Sequence, residues 1–312
     1  MVQETVLGQV PCSQKVVYKV VHDRPELTCT AEDMVTWTKL HHRLGHVSQG
    51  VAKQLAEKGL VTGVRVDTSS GDVVFCESCI YAKAMQKPVA KVREGEQATE
   101  LGGEVHTDLW GPAPVTTIKG CRYYISFMDD KTHLTHLYLL KHKSNTLRAY
   151  KEYEASLNTQ HNATVHTLHS DHGGEYTGKE FILHLKWKGT RQKLTVHDTP
   201  QHNGVAKQLN CTILEKVCAM LHMSGQPRML WGEAAHHVVW LKNHTPTKVL
   251  DGDTTPYESA YGKKPDLCGV CEWGSCCWVQ NELVAKSGGQ VSEGVWVGVD
   301  EKSKGAWIYW LG

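Results

Sequence analysis

The stretch EVHTDLWG, residues 104–111, marks a change of rhythm in the chain. It reads as a short strand carrying an aspartate, Asp108, near its end, with a glycine to stop it. Two β-rich runs follow around a polar turn, CRYYISFMDD (121–130) and HLTHLYLLK (133–141), and read as a hairpin. NTLRAYKEYEASLNTQ (145–160) has helical spacing behind an asparagine. TVHTLHSD (164–171) is a second strand that ends on an aspartate, Asp171. TGKEFILHLKWKG (177–189) is a helix closed by Gly189, and RQKLTVHD (191–198) is another strand. A longer helix then runs from Asn203 to Gly225, with Ala206, Ile213, Val217 and Met220 on its apolar side. Strands first, with helices between and after them, predict a mixed α/β sheet with flanking helices.

Upstream the texture differs. Residues 1–35 have mixed polarity and weak periodicity, and they read as an N-terminal connecting segment. Residues 36–90 hold a short helical piece, GVAKQLAEKGL (50–60), but too few apolar residues for a core of their own. Residues 91–103, KVREGEQATELGG, read as a linker. The core spans 104–265, including a further helical pattern, LWGEAAHHVVWLKNH (230–244). Residues 266–312 end in EGVWVGVDEKSKGAWIYWLG, which alternates like strands of a small barrel.

The chain has 312 residues, of which 40% are hydrophobic, enough for a sizeable core. No run of about 18 apolar residues occurs, so no membrane span is expected, and the first residues lack the pattern of a secretory signal. A net charge of +1 neither argues for nor against nucleic acid, because local patches matter more than totals. The 19 histidines and 11 cysteines are the compositional oddity. Without a secretion signal the cysteines read as reduced thiols, some of them candidate metal ligands.

Four of those residues form a constellation. HHRLGH (41–46) and CESC (76–79) supply His41, His46, Cys76 and Cys79, two imidazoles and two thiolates suited to a closed tetrahedral Zn²⁺ site. His42 is an alternative first ligand. The competing reading, a redox Cys-x-x-Cys beside unrelated histidines, lacks the βαβ setting it needs. A second cluster, Cys268, Cys271, Cys276 and Cys277, has poor chelate geometry in its adjacent pair and reads as buried free thiols.

Asp108 and Asp171, at the ends of separate strands, can converge on shared Mg²⁺ or Mn²⁺ ions for phosphoryl transfer. Asp129 and Asp130 sit at the hairpin turn and read as structural.

Read in order, HHRLGH…CESC, VHTDLWGP, YYISFMDD, HSDHGGEY, TPQHNGVAKQLN, AMLH, NHTPTK and TPYESAYGKKPD resemble the integrase region of a copia-type LTR retrotransposon polyprotein, across residues 36–312. The resemblance implies a zinc-binding pre-integrase module, an RNase H-like catalytic core with a five-stranded sheet, and a small β-barrel-like tail. It implies DNA integration as the activity, nucleic acid as partner, homo-oligomers, and a nuclear or particle-bound intracellular location. In the family the core acids are Asp, Asp and Glu, the last two separated by 35 residues. Asp108 and Asp171 match the first two. The glutamate position is Lys207, an ammonium where a carboxylate belongs. Glu175 is an ordinary part of the motif, and Glu215 lies about 12 Å along the helix by its rise, too far to substitute. His172 stands where asparagine is expected, and KQLNCT replaces a basic run. The expectation is an integrase fold impaired in strand transfer, in which Lys207 pairs with the aspartates. The alternatives are a non-enzymatic nucleic-acid or protein-binding module, and a nuclease using a shifted acid.

Overall fold

The computed structural model describes residues 7–10, 19–20, 34–62, 64–67, 76–83, 97–195, 204–280, 291–301, 303 and 305–310. In chain order the elements are β1 (Leu7–Val10), β2 (Lys19–Val20), β3 (Met34–Val35), α1 (Trp37–Arg43), α2 (Gln49–Glu57), β4 (Arg65–Val66) and α3 (Glu77–Lys83). There follow β5 (Glu104–Trp110), β6 (Tyr123–Asp129), β7 (Thr135–Leu140), α4 (Thr146–His161), β8 (Thr167–Ser170), α5 (Gly174–Thr177), α6 (Lys179–Lys188) and β9 (Arg191–Leu194). The remainder comprises α7 (Gly204–Ser224), α8 (Trp231–Asn243), α9 (Pro256–Tyr261), β10 (Cys276–Gln280), β11 (Val291–Asp300) and β12 (Gly305–Trp310).

The central sheet runs β7-β6-β5-β8-β9. Its first three strands are antiparallel and the last two join in parallel, the RNase H-like mixed sheet expected above. Parallel pairing demands a crossover, and α4 supplies the one between β7 and β8. It packs one face of the sheet through Ala149, Tyr150, Tyr153 and Leu157, which stack against Phe127, Ile125 and Leu168. The opposite face is covered by α7 and α8, whose Ile213, Val217, Met220 and Val238 join Tyr124, Met128 and Leu137. The four apolar α7 positions read from the sequence, Ala206, Ile213, Val217 and Met220, are all buried. Gly189 and Gly225 close α6 and α7 with φ of +75° and +66°, a region open to glycine without penalty. The predicted 177–189 helix begins only at Lys179, because Gly178 stays extended and separates it from the single turn α5.

The hairpin turn is structural, as expected. Asp129 accepts hydrogen bonds from Gly102 N, Thr132 N and Thr132 Oγ1, and Asp130 from Ala98 N. The end of the expected linker is thereby strapped across the turn; its residues 91–96 lie outside those described.

Two readings change. The first 35 residues are more than a connection: β1 pairs antiparallel with β12 and β2 with β10, so the C-terminal sheet runs β1-β12-β11-β10-β2. The barrel-like tail is this five-stranded antiparallel sheet. Residues 36–90, read as having no core of their own, share one through their described residues. Trp37, Leu40, Leu44, Val47, Ala52 and Leu55 are buried in the same cluster as α7, α8 and the C-terminal sheet. Gly45 shows how tight this junction is: a Cβ there would meet Met220 Cε at 2.4 Å and Leu241 Cδ1 at 2.7 Å.

Candidate functional site

The four residues read as a metal constellation come together. His41 closes α1, and a turn through Gly45 (φ +63°) and His46 (φ +60°) folds the second imidazole back on it. Cys76 precedes α3 and Cys79 sits in its first turn, so the helix presents both thiols to one point. His41 Nε2 lies 3.2 Å from His46 Nδ1 and 3.4 Å from Cys79 Sγ. Cys76 and Cys79 Sγ lie 3.3 and 3.5 Å from His46 Nδ1. Ligands about 2.0–2.3 Å from a tetrahedral centre are about 3.3–3.8 Å from one another, and these four donor pairs have about that spacing. His41 Nδ1 faces Val47 O at 2.7 Å, which fixes the ring and leaves Nε2 for an ion. Burial, then the charge of His41, pushes His42 down to about 4; burial, His41, His42 and Lys216 push His46 down to about 3. Both are therefore neutral imidazoles, the ligating form. His42 competes with Cys79 for the fourth place: it lies 4.0 Å from Cys76 Sγ and turns its Nδ1 toward Glu272 Oε1 at 3.8 Å. It belongs to a cluster with His41, His46 and Cys76 and stays an alternative donor.

The other cysteine cluster does not converge. Cys276 and Cys277 are consecutive in β10 and point to opposite faces. Cys271 and Cys277 are buried thiols, whereas Cys268 is exposed.

Asp108 and Asp171 meet on one sheet face. β5 and β8 pair in register Glu104↔Thr167 and His106↔His169, which sets Asp108 beside Asp171 on the side covered by α7. Burial, then the neighbouring charge of Asp171, pushes Asp108 up to about 6. Asp171 Oδ1 accepts from Gly173 N at 2.9 Å, and a Cβ on Gly173 would lie 2.8 Å from Glu175 Oε1 and 3.0 Å from Asp171 Oδ1. That glycine is what lets the strand end turn so tightly around its own carboxylate.

Residues 196–203, which precede α7, lie outside the described residues. Lys207 follows on the first turn of α7 and is exposed. It acts on Asp108 through its charge, lowering its proton affinity, but among the described residues it makes no ion pair with either aspartate. The expected pairing is thus a longer-range field rather than a contact. The side chain that reaches Asp108 is Asn210, one turn on, whose Nδ2 donates to Asp108 Oδ2 at 2.9 Å. Asn210 was missed as a site residue, although it lies inside the KQLNCT run, one helical turn past the acid position. Three oxygens around Asp108 are buried without a hydrogen-bond partner among the described residues: Asn210 Oδ1, Ser126 Oγ on the paired strand position, and Tyr124 OH. A buried oxygen left unpaired costs about 1–3 kcal/mol. The two carboxylates are oxygen donors of the kind a hard divalent cation takes.

Comparisons with known proteins follow the same lines. A model of the GAG-pre-integrase domain matches residues 18–84, which reaches further upstream than the 36–90 module read from the sequence. The chain is 33% identical over 220 residues, 70% of its length, to the retrovirus-related Pol polyprotein from transposon TNT 1-94 of Nicotiana tabacum. It is 26% identical over 246 residues to the corresponding polyprotein from transposon RE2 of Arabidopsis thaliana, and it spans 16% of the length of each. Among solved structures, it is similar to a chain of the simian T-cell lymphotropic virus intasome in complex with PP2A regulatory subunit B56 gamma. That match has a TM-score of 0.46 and 13% identity, and covers 72% of this chain and 82% of that one. The HTLV-2 integrase catalytic core domain in complex with magnesium matches with a TM-score of 0.39 and 13% identity, over 51% of this chain and 97% of that one.

Proposed function

We propose, for a chain that belongs to the integrase region of LTR-retrotransposon Pol polyproteins, that it binds DNA through an integrase core whose strand-joining chemistry is impaired at Lys207. The observation that carries this reading is the site itself. Two carboxylates lie side by side on one sheet face, and α7 offers an ammonium on its first turn and an amide one turn on instead of a third acid.

Asp108 and Asp171 would hold a Mg²⁺ or Mn²⁺ ion, with the Asn210 amide fixing the orientation of Asp108. A bound ion there supplies Lewis-acid activation of a hydroxyl or water and stabilises a leaving oxygen. The residues fit one such ion, since Mg²⁺ commonly takes one or two carboxylates and completes its shell with water and phosphate. A second ion would need a carboxylate where Lys207 stands, and an ammonium offers no lone pair and repels the cation. Zn²⁺ on His41, His46, Cys76 and Cys79 has a structural role in the same proposal, because all four positions are filled by protein.

The alternative, a binding module without catalysis, is favoured by the same lysine, whose charge favours the ionised form of Asp108 without a metal. DNA-joining assays in Mg²⁺ and Mn²⁺ on the unmodified chain and on Lys207→Glu separate the readings. Gain of joining in Lys207→Glu supports an impaired integrase. DNA binding with a steep salt dependence, without joining by either form, supports the binding module. Oligomer formation, expected of this class, is read by sedimentation in the same samples.

A further inference from the structure

One step down the same sheet face from Asp108 and Asp171 lies a cluster that neither metal constellation uses. The register pairs His106 with His169 directly across β5 and β8, and Glu104 precedes His106 by two residues on the same face. The rings lie 5.1 Å apart between centroids. Glu104 Oε1 is 3.0 Å from His169 Nδ1 and 3.8 Å from His106 Nε2. One donor atom from each of the three falls within 4.8 Å of the others. Both histidines are buried, at 4% exposure each.

We propose that Glu104, His106 and His169 form a second metal site, for a divalent transition ion of the zinc class. Two imidazoles and one carboxylate are the donor set that favours zinc and similar ions over magnesium, and three protein ligands leave room for water. Lys193 Nζ reaches Glu104 Oε1 at 3.2 Å, the kind of outer partner a ligating carboxylate uses. The His106 nitrogen nearer Glu104 is Nε2, which also lies 2.9 Å from Asp130 Oδ1, so an ion held there would replace the hydrogen bond between His106 and Asp130. The site would sit about 7 Å from the aspartate pair, two residues along each strand. The face then carries a nitrogen-containing position for a borderline ion and an all-oxygen position for a hard one. An ion bound at the first would tie β5 to β8 beneath the second.

The test uses the full chain, stripped of metal and reloaded with Co²⁺ in excess Mg²⁺, which keeps the aspartate pair occupied by the harder ion. Elemental analysis should find about two Co²⁺ per chain, with thiolate-to-cobalt absorption accounting for only one of them. His169→Gln should keep the thiolate band and lose one ion. About one Co²⁺ in the unmodified chain, or two retained by His169→Gln with its thiolate band intact, overturns the proposal. Should His169→Gln fail to fold, cadmium NMR of the unmodified chain decides alone. A nitrogen/oxygen-ligated resonance beside the thiolate one supports the site, and a thiolate resonance by itself overturns it.

Discussion

Helix α7 touches both metal constellations, and it treats them differently. Near its start it acts on Asp108 with the charge of Lys207 and, one turn on, the amide of Asn210. Near its other end it packs on α3, where His222 stacks on Tyr81 at 4.7 Å and meets Ser78 Oγ at 3.1 Å. Met220, two residues earlier, fills the space that Gly45 leaves open in the turn between His41 and His46. The module has all four donors in place, and its apolar residues belong to the main core. The aspartate site has a lysine rather than an acid on the first turn of α7, yet one of its two carboxylates, Asp108, is held by an amide and its strands are intact. A ligand set built into the core cannot lose a member without unfolding its surroundings. A catalytic acid on the first turn of a helix can be exchanged with little effect on the fold.

The largest effect expected from this contrast is at the module. Cys76→Ser with Cys79→Ser should abolish zinc binding and lower global stability by on the order of 5 kcal/mol, since structural zinc binding is folding free energy. Chemical denaturation should show α7 and α8 melting with the module in one transition. A core that keeps its midpoint in the double variant would break the comparison by showing independent modules.

At the other end of α7, Lys207→Glu should leave the denaturation midpoint within about 1 kcal/mol of the unmodified chain. It should raise Mg²⁺ affinity about tenfold or more, as removing a cation and adding a ligand does; titration calorimetry reads this directly. The unmodified chain should give no detectable DNA joining. Robust Mg²⁺-dependent joining by it, abolished in Asp171→Asn, would remove the argument from Lys207 altogether.

A smaller effect belongs to Asn210. Asn210→Ala removes the donor to Asp108 and should cost about 1.5–3 kcal/mol, the range for a hydrogen bond to a charged group. The loss should fall in the core transition and leave zinc content unchanged.

The smallest concerns His237, remote from both sites. It lies flat against Trp240 at 5.9 Å and edge-on to Trp296 at 4.9 Å, with neither ring nitrogen partnered among the described residues. Burial, then the charges of His244 and Lys216, pushes it down to about 3. A histidine depressed in the folded state stays neutral there while the unfolded chain takes up a proton. Its contribution is therefore full above about pH 6.5 and is lost as pH falls toward 3. His237→Phe should flatten that part of the acid-denaturation profile. An unchanged slope would show that the ring is hydrated.

Much of this contrast could be read from the chain itself. Asp108 and Asp171 each end a β-rich run, and periodicity placed the buried side of α7 residue by residue. The donors of the module were legible because thiols and imidazoles at chelating spacing have few other uses. Asn210 was not, since a single amide in a helix gives no periodic signal and its role depends on which residue the opposite strand places beneath it. Nor were β1 and β2, each paired only through contacts far along the chain, which local patterns cannot encode. The shared core of the module was hidden for the same reason: Leu40 and Leu44 look like a short amphipathic turn until α7 and α8 are laid beside them.

The pairing of Leu7–Val10 with Ala306–Tyr309 sets a clock. A ribosome adds roughly 5–20 residues per second, so β1 would emerge about 15–60 s before the strand that completes it. Throughout that interval its backbone donors and acceptors would be open to other partners, chaperones or a neighbouring nascent chain among them. A message broken or stalled before the last strand would leave β1 without its mate, so the closing of this sheet also reports that translation has reached residue 309.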